Sequence, residues 1–364
     1  MLVSRLEARG FRNLAHADVE LVPGVTLIHG PNGAGKTSLL EALGFGLLGV
    51  SWRTRADREL ISYGADLARA EVTVSDGDES RLFMASVASG EGRHRRLNGK
   101  ELPDDAATLR PAVATFSPDR LLLVKGPPGE RRAHVDRLVA AMWPGRSDVR
   151  RRFGRALAQR NALVTRIRAG AASEAPLAAW DAQFAADGAA LVEVRDAAIE
   201  RLAAPFRSLG GSLGLSGEAT ITYRPRTGLV DAGTLADQLR ERRRADLERG
   251  YTTHGPHLDE VEIALEGRSV RRFGSQGEQR LALLALLFAE REALLELRRT
   301  PPLMLLDDVM SELDPERRGL LVELLGGAGQ ALITATEPSQ VPDQGGRAVV
   351  KIDHGRVITP ALAA

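Results

Sequence analysis

The chain is predicted to fold as an α/β domain whose two halves are separated in sequence by a mainly helical insertion. Three observations carry this expectation. Residues Gly30-Pro31-Asn32-Gly33-Ala34-Gly35-Lys36-Thr37 fit the phosphate-binding loop pattern G-x-x-x-x-G-K-[ST] in full. A second apolar run, Leu303-Met304-Leu305-Leu306, ends in the carboxylates Asp307-Asp308. Between them, from about residue 129 to 249, alanine, arginine and leucine dominate at helical spacing.

The elements follow in order. Leu2 to Ala8, Asp18 to Leu21 and Val25 to His29 read as short strands, and Ser38-Leu39-Leu40-Glu41-Ala42-Leu43 as the start of the loop's helix. Ala70 to Val74 and Arg81 to Val87 continue the strand pattern. Asn98-Gly99 sets a hairpin between Arg95-Arg96-Leu97 and Lys100-Glu101-Leu102, and Val113 to Phe116 is a further strand. Pro144-Gly145, Gly170, Pro176, Pro205 and Gly210-Gly211 divide the insertion into several helices of ordinary length. No heptad run is long enough for an extended coiled coil. Ala219 to Tyr223 is a short strand within it. Glu260 to Leu265 is again a strand, and a strong helix opens at Ser275, with Leu281, Leu284, Phe288 and Leu295 near helical spacing. The strand Leu303 to Leu306, a helix from Pro315 to Leu325, the strand Ala331 to Ala335 and a closing hairpin (Ala348 to Ile352, Arg356 to Ile358) complete the chain. The expected division is 1–118 with 250–364 as one discontinuous domain and 119–249 as the helical lobe.

Composition bounds the function classes. Of 364 residues 43% are hydrophobic, enough for a core, yet no run of 18 apolar, uncharged residues implies a membrane span. Arg5, Glu7 and Arg9 come early and no long apolar segment accompanies them, so no signal peptide is expected. Absence of cysteine excludes disulfides, thiolate zinc ligands and a thiol nucleophile. The simplest location is cytosolic. Net charge is +1 and indicates no partner. Lysine occurs only at 36, 100, 125 and 351, and arginine clusters at 93–96, 131–132, 150–152, 242–244 and 271–272. Arginine suits phosphate contacts, but GC-rich coding produces the same bias. Aromatic residues, at 4%, are too sparse for a row of base-stacking platforms.

The motif residues have definite chemistry. Glycines let successive N–H groups of the loop point inward at a phosphate, and the following helix N-terminus adds its positive end. Gly30 through Ser38 therefore form the candidate nucleotide cradle. Lys36 reaches the β- and γ-phosphates and the Thr37 hydroxyl ligates Mg²⁺. Asp307 is the second metal-organising residue, and Asp308 is placed to polarise an attacking water. The alternative for this pair is a strand-end turn with solvated acids. Ser275-Gln276-Gly277-Glu278-Gln279 opens a helix whose free N–H groups and hydroxyl make an anion site, or a plain capping box from Ser275 to Glu278. Asp314 precedes Pro315 and is a natural N-cap.

In this order the motifs resemble those of the ABC-type ATPases, with Ser275–Gln279 similar to the signature motif and Ser311-Glu312-Leu313-Asp314 to the D-loop. Gly10-Phe11-Arg12-Asn13 resembles the entry of SMC-type heads. Phe116-Ser117-Pro118-Asp119, Gly126-Pro127-Pro128-Gly129-Glu130-Arg131-Arg132 with Asp136, and Thr253-His254-Gly255-Pro256-His257-Leu258-Asp259 resemble the RecF family. The resemblance implies an ABC/SMC-type ATPase head with a mixed β-sheet and a helical lobe. It implies ATP and Mg²⁺ as cofactors, with Arg12, Ser275, Gly277, Gln279 and Asp314 joining the cradle residues. Ser275 would contact the γ-phosphate held by another subunit, in a homodimer formed on ATP.

Implied partners are duplex, gapped or junction DNA, then RecR, RecO and RecA, in recombinational repair. Weak, DNA-stimulated ATP hydrolysis is expected, catalysed by Asp308 with Asp307 and Lys36. The alternatives are the nucleotide-binding subunit of an ABC transporter, or a compact SMC-like head with another partner. No glutamine occurs before Gln159, so the transporter Q-loop residue is missing, and Thr334 and Thr336 stand near the position of the transporter switch histidine. Asp308 stands where many relatives have glutamate, and its shorter reach implies slow turnover. Loop hydrogen bonding is the preferred reading of His254 and His257 over a metal site. Arg93 to Arg96, Arg131 and Arg132 are candidate DNA contacts or solvated surface.

Overall fold

The apolar run ahead of the phosphate loop lies inside a sheet, flanked on both sides by other strands. The computed structural model describes residues 2–358 apart from 78, 103–109, 328, 344 and 345. Strands β1 (Leu2–Phe11), β2 (Leu14–Glu20) and β3 (Gly24–His29) lead into helix α1 (Lys36–Leu48). Strands β4 (Leu67–Asp76), β5 (Glu79–Ala88), β6 (Gly92–Leu97), β7 (Lys100–Glu101) and β8 (Val113–Phe116) follow. The next segment holds α2 (Leu122–Lys125), α3 (Pro128–Met142), α4 (Val149–Arg168), α5 (Leu177–Ser212), β9 (Ala219–Arg224) and α6 (Ala232–Arg249). Then come β10 (Glu260–Leu265), β11 (Arg268–Ser269), α7 (Val270–Phe273), α8 (Gln276–Arg298), β12 (Leu303–Leu306), α9 (Pro315–Leu325), β13 (Gln330–Ala335), β14 (Ala348–Asp353) and β15 (Arg356–Ile358).

Residue packing divides the chain into two units, Met1–Leu121 with Leu294–Ala364, and Leu122–Ala293. Residues 250–293, which the sequence reading groups with the α/β ends, thus pack with the helical lobe. In the first unit, one six-stranded sheet has the order β15-β14-β3-β13-β12-β8 and is parallel except for the β14–β15 hairpin. Every residue of β12 and β13 is buried, which is why β12 reads as an unbroken apolar run and β13 as an apolar stretch broken only by Gln330 and Thr334, rather than as alternating strands. A second sheet, β2-β1-β4-β5-β6-β7, is antiparallel throughout. Helix α1 is buried from Ser38 to Leu47 and shares one apolar cluster with both sheets. A helix apolar on all sides belongs in such a core.

The second unit surrounds the three-stranded sheet β11-β10-β9 with helices. One correction concerns Pro205. It does not end a helix: α5 runs for 36 residues straight through it and through Gly210-Gly211. Leu202, Phe206 and Leu209 are all buried around that position. Their burial, at about 1.5–3 kcal/mol each, offsets the lost helical hydrogen bond. Arg160 is fully buried and donates to Asp181 (2.8 Å), Asp246 (2.8 Å) and the Thr252 hydroxyl (2.7 Å). These bonds tie α4 to α5, to α6 and to Thr252.

Candidate functional site

The phosphate loop folds as its glycines require. Gly30 has φ +157°, and a Cβ there would lie 2.0 Å from the Ile352 carbonyl oxygen. Gly33 has φ +79° with open space beside it, so its backbone amide borders a cleft that no side chain fills. The cleft, about 530 Å³, is lined by Arg12, Asn13, Asn32, Gly33, Gly35, Lys36, Thr37, Ser38, Arg53, Glu59, Ile61, Asp307, Asp308 and Thr334. Gly30, Pro31 and Ala34 belong to the same loop but are not among the residues that line the cleft. Lys36 Nζ donates to the carbonyls of Gly30 (2.7 Å) and Pro31 (3.0 Å). Burial pulls the Lys36 ammonium below its ordinary value, while Asp308 and Asp307 push it back up.

Asp307 closes the cleft from the end of β12. The Thr37 hydroxyl lies 2.9 Å from both of its oxygens, and the Thr334 hydroxyl donates to Oδ1 at 2.8 Å. Burial raises the Asp307 carboxyl above the usual carboxylate range, against the pull of Thr334 and Thr37. A hydroxyl and a carboxylate this close form a hard oxygen donor set, so the residues present fit Mg²⁺. Asp308 adopts φ +51°, uncommon outside glycine, and its N–H donates to Thr334 Oγ1 at 2.8 Å. Thr334, noted in the sequence only as standing in for a histidine, thereby orients both acids.

The sequence reading missed Glu41, Ser51 and Arg53. Glu41 is fully buried in α1, yet accepts from Arg12 Nε (3.0 Å) and Nη2 (2.8 Å), Arg53 Nη1 (3.0 Å) and the Ser51 hydroxyl (2.5 Å). One carboxylate thus holds two guanidinium groups at the cleft. Trp52 fixes the segment between them: a Cβ on Gly44 of α1 would lie 2.3 Å from its ring. Arg12 itself sits at φ +55°, and its N–H donates to the Leu60 carbonyl. The only sequence signal was a lone acid inside an otherwise apolar helix start.

Other candidates lie outside this cleft. Ser275 is exposed in the second unit and forms the capping box: its N–H donates to Glu278 Oε2 (2.7 Å) and its hydroxyl accepts from the Glu278 N–H (3.2 Å). Gly277 is exposed beside it, and Gln279 Nε2 donates to the Gly274 carbonyl at 3.0 Å. Asp314 caps α9 by accepting from the Arg317 N–H at 2.9 Å. Arg131 is a correction: it is buried and bidentate to Glu260 (2.8 and 3.0 Å), so it is not a DNA contact. Arg132 donates to the Asp259 carbonyl at 2.7 Å, and Arg93 pairs with Asp57. His254 meets Gln238 (2.8 Å) and His257 the Thr252 carbonyl (3.0 Å). Among the described residues no group of three or more His, Asp or Glu is arranged to hold a metal ion by itself.

A family model described as the RecF/RecN/SMC N-terminal domain matches residues 2–357. The DNA replication and repair protein RecF of Anaeromyxobacter sp. (strain Fw109-5) is 37% identical over 375 residues, covering 98% of this chain and 99% of that protein. Its counterpart in Moorella thermoacetica is 35% identical over 348 residues, with 93% and 91% covered. A solved structure of the recombination mediator protein RecF with ATP, in the RecFOR pathway, superposes with a TM-score of 0.89 at 26% identity, covering 99% and 98%. An Smc head bound to the C-winged helix domain of ScpA shares the fold, with a TM-score of 0.60 at 16% identity.

Proposed function

The chain belongs to the RecF family of the RecF/RecN/SMC proteins, and from that premise we propose that it is an ATP-dependent DNA-binding protein of recombinational repair and of replication of damaged DNA. The observation that carries this reading is the pairing of Thr37 with Asp307 under a phosphate loop. The similar RecF structure holds ATP, and the loop here has the backbone to hold the same ligand.

On this reading Gly30–Ser38 cradle the triphosphate, with Lys36 exchanging its two carbonyl partners for phosphate oxygens. Arg12 flanks the same cleft. Thr37 and Asp307 hold Mg²⁺, which when bound neutralises charge on the phosphate oxygens. Asp308, held at its backbone by Thr334, orients a water and accepts its proton. Ser275, Gly277, Gln279 and Asp314 of a second copy complete the pocket, so γ-phosphate contacts exist only in the pair. Such contacts are differential binding between monomer and dimer, which is what lets ATP drive pairing. RecR, RecO and RecA are the partners the reading assigns downstream, at gapped or junction DNA. Fluorescence anisotropy with a gapped duplex tests it: binding should require ATP, and equal binding with and without nucleotide would refute ATP dependence.

A further inference from the structure

Helix α4 carries seven arginines in 20 residues and no aspartate or glutamate. Its buried side holds Val149, Phe153, Ala156, Arg160 and Val164. The opposite side exposes Arg151, Arg155, Gln159, Ala162 and Arg166. Steps of four, four, three and four residues align these five in one stripe. Among the described residues no hydrogen bond or ion pair is made by the side chain of Arg155 or Arg166.

Arginine content alone does not produce this. On the solvent face of the antiparallel sheet, Arg5 pairs with Asp18, Arg9 with Glu7 and Arg69 with Glu71. Those charges are compensated locally, as are Arg150 by Asp136 and Arg152 by Asp148 and Asp187 on α4, whereas the Arg155 and Arg166 side chains have no such acid. The imbalance extends to the unit. Leu122–Ala293 holds 27 Lys and Arg against 22 Asp and Glu, a net +5, which leaves −4 on the rest of a +1 chain.

We propose that the exposed stripe of α4 is a contact surface for the phosphate backbone of duplex DNA. This rests on the DNA-binding reading above and assigns it a surface. Arg151 to Arg166 spans about 22 Å of helix axis, or six to seven steps of about 3.4 Å along a duplex strand. Guanidinium groups bind phosphate oxygens bidentately. The stripe has no aromatic or large apolar anchor of the kind that dominates protein–protein contacts. Phosphate contacts of this type position a duplex without reading its sequence.

The test is the double variant Arg155→Gln/Arg166→Gln, titrated with ATP and a labelled duplex at several salt concentrations. Duplex binding should weaken equally for unrelated sequences. The slope of log K against log salt should fall by about 2, at about 0.9 per lost phosphate contact. Arg155→Lys/Arg166→Lys should keep the wild-type slope. ATP-dependent pairing should be unchanged in both, since neither residue touches the cleft. Failure of the wild type to bind duplex would remove the reading beneath this proposal. Wild-type binding with an unaltered Gln-variant slope would overturn the stripe alone. So would loss of binding confined to phosphatidylserine vesicles with duplex binding intact.

Discussion

The Thr37 hydroxyl lies 2.9 Å from both carboxylate oxygens of Asp307, a residue 270 positions away in the chain. The contact exists because β3 and β12 are parallel neighbours of β13, so the loop after one strand and the acid after the other emerge at the same sheet edge. Ligands of open α/β sheets bind beyond those carboxyl ends. Thr334, at the end of β13, bridges the two acids and makes the edge one hydrogen-bonded unit.

Asp307 sets a pH dependence. Its raised carboxyl pKa means that burial favours the protonated acid more in the nucleotide-free fold than in the unfolded chain. Stability should therefore fall as pH rises from the ordinary carboxylate value through the raised one. Mg²⁺ needs the carboxylate, so metal affinity should rise across the same window. Asp307→Asn should raise the nucleotide-free thermal midpoint at neutral pH, by ~2–4 °C per kcal/mol of relief, and abolish Mg²⁺-dependent stabilisation. Scanning calorimetry against pH, with and without Mg²⁺, measures both effects; an unchanged or lower midpoint would contradict the burial argument.

Asp308→Asn keeps the N–H that donates to Thr334 but removes the proton acceptor. ATP hydrolysis should drop by about 10²-fold or more while ATP-bound pairs persist. Phosphate release assays read the rate, and a wild-type rate would show that another group positions the water.

Ser275→Arg removes an N-cap at a cost of about 1 kcal/mol and places a bulky cation at the helix start. The monomer should still bind nucleotide, because the cleft lies in the other unit. Pairing on ATP should be lost. Light scattering together with nucleotide titration separates the two, and an intact pair would remove the contact in trans.

Arg160→Ala leaves Asp246 buried without its guanidinium partner, while Asp181 keeps only Arg243. About 3–5 kcal/mol of stability should be lost from the helical unit. Urea unfolding followed by circular dichroism checks this, and a loss under about 1 kcal/mol would mean the network is redundant.

Much of this was legible in the residues, for identifiable reasons. The ends of β8, β10, β12, β15 and α9 coincide with the sequence reading, because short apolar runs bounded by Gly, Pro or acids leave little freedom of register. β2 begins earlier than expected, at Leu14, because its alternation of buried and exposed residues hides His16 among solvent-facing positions. Pro205 misled because local propensity yields to burial on either side of it. Lys36, Thr37 and the Asp307–Asp308 pair converge as their chemistry implied. The Arg12–Glu41–Arg53 clamp did not announce itself, since three elements contribute and no spacing rule links them.

The central claim is that a triphosphate joins two copies of this chain. Sedimentation velocity at saturating ATP and Mg²⁺ tests it most directly. Wild-type protein should sediment at twice the monomer mass, while Lys36→Met, which lacks the cleft ammonium, should remain at the monomer mass. A wild-type particle that stays monomeric under those conditions, with duplex DNA present, would contradict the account.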